Sequence, residues 1–381
     1  MTSDAAGTPP ERDEWARRFT QQAASCRELG SALYARLLEL VAAEIHAGTA
    51  TWDLLRRSGH LRFGQAAPLR LLGAAHRLAL TGGAPDWAEV LPSCGGSVPA
   101  SDEALLVSWR TLVDLHTEAL GAGLEREVQT NEVARAPALA LAVAEARMRE
   151  TRLVELGCSA GLNLRLDHFE MDLGGVVLGT SGSAVQLRPE MRRGLGGLRH
   201  SGLVLPVVSE RVGIDPHPVD PTNPEGAATI RSFIWPDQLD RLERIDAAIG
   251  IARSHPAELL RCGTGVGPGT GDGGAPGAES GTSEPPDAAA VLDSVLDRGG
   301  PAVVMHSIVW QYVPPETRWA ITRTIEEHGE SASATAPLVW VRFEPDQWDR
   351  RRAAVWVRSF PSGSDRLAAH VDYHGRWVEP L

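Results

Sequence analysis

Glu155, Gly157, Ser159, Gly161 and Asn163 fall within the stretch Leu153-Val154-Glu155-Leu156-Gly157-Cys158-Ser159-Ala160-Gly161-Leu162-Asn163, and their types and spacing offer the most chemistry in the chain. An apolar run ends there in a glycine-bracketed turn and passes into LNLRLDHF, which reads as strand, tight loop, helix. Glycines at the end of a strand let the backbone approach a ligand. The first N–H groups of the following helix are unpaired and attract a polar or anionic group. A small-molecule site is the leading expectation.

Three templates compete for this loop. A dinucleotide fingerprint needs glycines at 159 and 162, where the chain has Ser159 and Leu162. The S-adenosylmethionine loop, acid-x-G-x-G-x-G, finds Glu155, Gly157 and Gly161 in place, with Ser159 where the middle glycine is usual. In such a site Glu155 or a neighbour binds the cofactor's ammonium directly or through water. The nucleophile elbow G-x-S-x-G is met in full by Gly157-Cys158-Ser159-Ala160-Gly161 and would make Ser159 the nucleophile of a serine hydrolase. The elbow, however, normally follows several strands and an oxyanion-hole loop, whereas residues 1 to 150 have helical patterns and no H-G-G run. Cofactor binding ranks first, a structural glycine turn second and a hydrolase third.

Other candidates flank the loop. Upstream, Gln129-Thr130-Asn131-Glu132 offers Asn131 and Glu132 as ligand contacts, or Thr130 as the N-cap of a helix to about Met148. Downstream, an apolar strand from Leu205 to Ile214 ends at Asp215-Pro216-His217-Pro218-Val219-Asp220. An acid closing that strand can accept both hydroxyls of a ribose, and Asp215 is preferred over Asp220, which lies beyond two prolines. A later strand ends in Met305-His306-Ser307-Ile308-Val309-Trp310-Gln311-Tyr312. His306 is the candidate general base and Tyr312 a candidate pocket wall, against the plainer reading of His306 as a satisfied core residue.

The elements that must position these residues come in two groups. After a polar tip over residues 1–10, predicted to be disordered, residues 11–127 carry helical spacings, with stops expected at Gly82-Gly83 and at Gly121 and Gly123. From 128 onward strands and helices alternate. A hairpin is expected at Phe169 to Leu178, strands near 258–262, 302–309 and 338–343, and two antiparallel strands over 354–378 that turn at His374-Gly375. This predicts an α/β fold, a Rossmann-like, doubly wound sheet with an antiparallel finish behind an α-helical lobe. Residues 263–286 hold nine glycines and four prolines in 24 positions and read as a disordered insertion.

Bulk composition narrows the function classes. With 381 residues, 43% apolar, the chain can bury a sizeable core. A net charge of −12 argues against a nucleic-acid partner. No lysine occurs, which removes the Walker lysine, the Schiff-base lysine of pyridoxal enzymes and any lysine base. Cys26, Cys94, Cys158 and Cys262 are scattered and suit neither a disulfide scaffold nor a zinc cluster, so no metal ligands are assigned. The polar N-terminus has no apolar signal segment, and no run is long enough to span a membrane. A cytoplasmic protein acting on a small molecule, without membrane or nucleic-acid partners, is expected.

QTNEVARA, LVELGCSAGLNLRLDHF, GIDPHPVDPTNPE, IRSFIWPDQ and VVMHSIVWQYVPPE together resemble the bacterial family called domain of unknown function 2332, from about Trp15 to the C-terminus. The sheet of that family is similar to those of S-adenosylmethionine-dependent methyltransferases. The resemblance thus implies S-adenosylmethionine as cofactor and methyl transfer to a small molecule, with a non-catalytic nucleoside-binding protein as the alternative. Most relatives have a G-D-A type acid after the third strand. This chain reads Arg261-Cys262-Gly263-Thr264 there.

Overall fold

The computed structural model describes residues 9–57, 66–196, 202–263 and 286–381, and the chain divides into two compact units. The predicted tip at residues 1–10 and insertion at 263–286 lie outside the described residues, except for residues 9, 10, 263 and 286.

The first unit holds Met1–Thr130 together with Asn223–Asp246. Its helices are α1 (Pro9–Glu28), α2 (Ala32–Ala47), α3 (Ala50–Arg57), α4 (Ala67–Leu80), α5 (Pro85–Ala88) and α6 (Asp102–Leu124). Gly30, in the left-handed region at φ 90°, separates α1 from α2, and the Ser31 hydroxyl caps α2 by accepting from Tyr34 N. Trp109, Phe19, Leu37, Leu38, Leu71 and Leu72 form part of its core. α6 runs through Gly121 and Gly123, where the sequence predicts a stop. A Cβ at Gly123 would lie 2.3 Å from Ala74 Cβ, so that glycine serves the close crossing of α4 and α6 instead of ending a helix.

The second unit, Asn131–Thr222 and Ala247–Leu381, contains the sheet. It opens with a 3₁₀ turn, Val133–Arg135, and α7 (Ala136–Glu145). The predicted helix from Thr130 is shorter: Glu132 caps the 3₁₀ turn, its carboxylate accepting from Ala134 N at 3.1 Å, and α7 itself has no side-chain cap. Pro137 explains the late start, since proline is tolerated only in a helix's first turn. β1 (Glu150–Leu156) leads into the glycine loop, and LNLRLDH forms a 3₁₀ helix, Leu162–His168, not an α-helix. β2 (Glu170–Asp172) and β3 (Val177–Gly179) make the expected hairpin, joined by β4 (Gln186–Leu187) in a three-stranded sheet. Then come β5 (Glu190–Met191), β6 (Val207–Asp215), the first unit's α8 (Pro224–Ser232), α9 (Leu239–Ser254), which begins in the first unit and ends in the second, β7 (Glu258–Arg261), α10 (Ala288–Leu296), β8 (Ala302–Ser307), α11 (Pro315–Glu330) and β9 (Leu338–Pro345). β10 (Ala353–Phe360), β11 (Ser364–Val371) and β12 (Trp377–Pro380) finish the chain.

Nine strands form one mixed sheet in the order β5-β12-β11-β10-β9-β8-β1-β6-β7. β7, β6, β1, β8 and β9 run parallel, and β10 to β12 add an antiparallel meander. From β1 the chain builds outward through β6 and β7, then returns to the other flank with β8 and β9. That reversal puts a switch point at the C-terminal ends of β1 and β8, where ligands of such sheets bind. Val154 and Leu156 share one face with Val304, Trp340 and residues of α10 and α11. Leu153 and Glu155 alternate to the other face, as a period of two requires.

The first unit is discontinuous in sequence, because residues 223–246, carrying α8 and the start of α9, belong with the N-terminal helices. Asp237 accepts from Ser31 Oγ at 2.6 Å and from Leu33 N at 2.9 Å, and His76 Nδ1 meets Ser232 O at 3.1 Å. Among the described residues no helix is long and apolar enough to cross a membrane.

Candidate functional site

The loop after β1 is left-handed at Gly157 (φ 65°), Ser159 (φ 53°) and Gly161 (φ 61°). Such backbone is strained for serine, so something must hold it. Asp215 does: one carboxylate oxygen accepts from Ser159 N at 2.8 Å and the other from His217 N at 2.8 Å. Asn131 closes the other side, donating to Ser159 Oγ at 2.9 Å and accepting from Ala160 N at 3.1 Å. Gly157 N donates to Ile214 O at 2.8 Å. The space above the glycines, which the sequence suggests is kept for a ligand, is filled by the chain. A Cβ at Gly157 would lie 2.3 Å from Val309 Cγ2, and one at Gly161 would lie 2.9 Å from Leu164 Cδ1.

Glu155 lies beneath this loop and is 4% exposed. Burial pushes its carboxyl up to about 8, against the opposing pull of Arg165, Arg135 and the Asn163 amide. Its Oε2 and the Oδ1 of Asn163 are both buried without a hydrogen-bond partner among the described residues. Buried acceptors in that state cost about 1–3 kcal/mol each unless a donor reaches them. Arg165 is anchored to Gly161 O at 2.6 Å and His255 O at 2.9 Å, and burial brings its guanidinium down to about 10. Arg135 is spent on Tyr373 O at 2.9 Å and Ser307 O at 3.2 Å. Both cations are held by backbone carbonyls, which leaves the two orphaned acceptors to an incoming group.

The Asn163 side chain also donates to Glu132 O at 3.4 Å, and the Glu132 carboxylate faces His374 Nδ1 at 3.4 Å. His374 comes from the turn between β11 and β12. That turn sits so tightly on the segment before α7 that a Cβ at Gly375 would lie 1.8 Å from Ala134 O. The structure thus gathers Asn131, Glu132, Glu155, Gly157, Ser159, Gly161, Asn163 and Asp215 around one strand end.

His306 and Tyr312 stand apart from this group. His306 is beside Leu156 in register, on the opposite face from Glu155, and its side chain is fully buried. Its Nδ1 meets Glu344 Oε1 at 2.7 Å, and Trp310 stacks on its ring at 4.5 Å between centroids. The same Glu344 oxygen accepts from Val309 N at 3.1 Å and Trp310 N at 3.2 Å. His306 is therefore enclosed, which is the core role that the sequence allowed, although its Nε2 has no partner among the described residues. Tyr312 is 70% exposed. Sequence reasoning missed Arg135, Arg165, Glu344 and His374. Glu344 could have been found from its alternation at the end of a strand parallel to the one carrying His306; His374 had no signal beyond its place in a turn.

Residues 16–265 and 284–379 match a family described as "Uncharacterized protein conserved in bacteria (DUF2332)", which takes in every residue of this site. The chain belongs to this DUF2332 family. No curated protein and no solved structure matches it. Membership in DUF2332 covers the QTNE segment, the glycine loop and the β11–β12 turn alike, so these parts belong to one family-wide unit of sequence. The four cysteines are free thiols. Asp293, Asp297 and His328 bring ligand atoms within 4.8 Å of one another on α10 and α11, where both aspartates are exposed.

Proposed function

We propose that this DUF2332 protein binds S-adenosylmethionine at the strand end beside Glu155 and transfers its methyl group to a small molecule. The observation that carries the reading is the pair of orphaned acceptors, Glu155 Oε2 and Asn163 Oδ1, beneath a left-handed loop at a switch point. An ammonium group satisfies both acceptors once Glu155 gives up the proton that burial keeps on it. Asn131 and Asp215 would keep the loop in shape; Asp215 meets a ribose only with the second lone pair of each oxygen, the first being given to Ser159 N and His217 N. Bound there, the cofactor supplies an electrophilic methyl group, and the chain's own contribution is alignment and exclusion of water.

Calorimetry with S-adenosylhomocysteine tests this directly. The wild type should bind, and Glu155→Gln should bind about 10- to 150-fold more weakly, the usual range for losing a charged hydrogen bond. Absence of binding to the wild type overturns the proposal. A second reading, a binding protein without catalysis, is favoured by the enclosure of His306, the candidate general base, and the exposure of Tyr312, the candidate pocket wall. A serine hydrolase receives less support, since Ser159 Oγ accepts from Asn131 while His306 is paired with Glu344 across the sheet. Fluorophosphonate labelling of Ser159 would revive it.

A further inference from the structure

Among the described residues three imidazole–carboxylate pairs lie at the ligand edge of the sheet, His306–Glu344, His370–Asp346 at 3.5 Å and His374–Glu132, and the histidine of the last is the most exposed. His306 is joined to Glu344 and sealed under Trp310. His374 is joined to Glu132 and is 23% exposed at its side chain. Its Nδ1 is directed to Glu132 Oε2, and among the described residues none hydrogen-bonds to Nε2. A carboxylate on one ring nitrogen fixes the tautomer and ring orientation, and makes the other nitrogen a better proton acceptor.

The ring is also built into place. Asp372 accepts from His374 N at 2.9 Å and from Arg376 Nη2 at 2.8 Å, Arg135 donates to Tyr373 O at 2.9 Å, and Gly375 allows the close seat on Ala134. From His374 a line of contacts runs through Glu132 and Asn163 to Glu155. Of those four residues His374 is the most accessible; the other three are buried.

We propose that His374, oriented by Glu132, is the proton acceptor of this site, so that the methyl acceptor is a molecule that gives up a proton from oxygen or nitrogen. This rests on the methyl-transfer reading above. The acceptor's O–H or N–H bond breaks and its proton goes to His374 Nε2. The freed lone pair forms the bond to the methyl carbon, and the carbon–sulfur pair remains on the sulfur of the sulfonium donor. The imidazolium is balanced by Glu132.

The test compares two ligands by calorimetry on the full chain: S-adenosylhomocysteine, and sinefungin, which carries an amine where the donor carries its methyl group. A protonated His374 near that position repels the extra ammonium. The charged or titratable groups around the ring are Glu132 and Arg135 from the segment before α7, and Asp372, Tyr373 and Arg376 from its own turn. Glu155 would meet the amino-acid end common to both ligands and so drops out of the affinity ratio. That ratio, sinefungin over S-adenosylhomocysteine, should be about tenfold or more higher in mildly alkaline than in mildly acidic buffer. In His374→Asn, whose amide can imitate the Nδ1 donor to Glu132 but carries no ionisable group, the ratio should be flat. A flat ratio in the wild type, or the same rise in the variant, with S-adenosylhomocysteine binding normally, removes His374 and leaves the methyl-transfer reading standing. Failure of S-adenosylhomocysteine to bind the wild type removes both.

Discussion

Replacing Glu155 by glutamine should change how stability depends on pH before any ligand is added. Burial raises the Glu155 carboxyl from an ordinary 4.5 to about 8, and the side chain is 4% exposed, so solvent screening discounts little of the effect. The folded state therefore holds a proton that the unfolded state has released, throughout the window from about 4.5 to 8. Stability from this group is full below about 4.5, falls as pH rises through the window, and is lost above about 8. At ~1.4 kcal/mol per pH unit the swing is on the order of 5 kcal/mol across the window. Glutamine does not titrate, so the wild-type-minus-variant difference in urea unfolding free energy should decline steeply from pH 5 to 8. Taking the difference also cancels groups common to both proteins, such as His76, which burial holds down at about 4. A cationic ligand binding below pH 8 should release a proton, read as a dependence of the calorimetric heat on the buffer's ionisation enthalpy. Parallel stability profiles for wild type and Glu155→Gln between pH 5 and 8 would refute the reasoning.

Two further substitutions probe the frame around the loop. Asp215→Ala strips the acceptor from Ser159 N and His217 N, and should cost on the order of 2 kcal/mol without ligand; an unchanged urea midpoint would mean that the loop is held by other contacts. Glu344→Ala leaves His306 Nδ1, Val309 N and Trp310 N without their shared acceptor, and should cost about 3 kcal/mol or more in urea unfolding. A loss below about 1 kcal/mol would show that the turn behind Gly157 does not depend on Glu344.

Two of the parallel strands could be read from the sequence because β8 and β9 open with apolar runs of the kind that a sheet covered on both faces demands, while β1 shows only Leu153-Val154 and Leu156 before its glycine loop. The glycine loop was legible because left-handed backbone selects glycine at Gly157 and Gly161. Ser159 shows the limit of that rule: its φ of 53° is imposed by Asp215 and Asn131, more than 20 residues away on either side, and no local preference announces it. The face of the sheet on which His306 lies follows from alternation counted against Leu156, yet needs the register of β1 with β8, which sequence spacing does not supply. His374 enters the site by tertiary contact alone, 242 residues beyond Glu132.

Residues 223–246 interrupt the sheet-bearing unit yet complete the core of the helical one, where Trp235 lies beside Tyr34 at 6.3 Å between ring centroids. A ribosome releases the N-terminal helices long before this segment exists. Until Asp237 emerges, Ser31 Oγ and Leu33 N lack their acceptor, and until Ser232 emerges His76 Nδ1 lacks its own. The helical unit therefore cannot finish folding as an independent N-terminal domain during synthesis. Its last pieces arrive only after β1 and β6 have been made, so the two units share one order of assembly, and residues 1–130 produced alone are left with an open core.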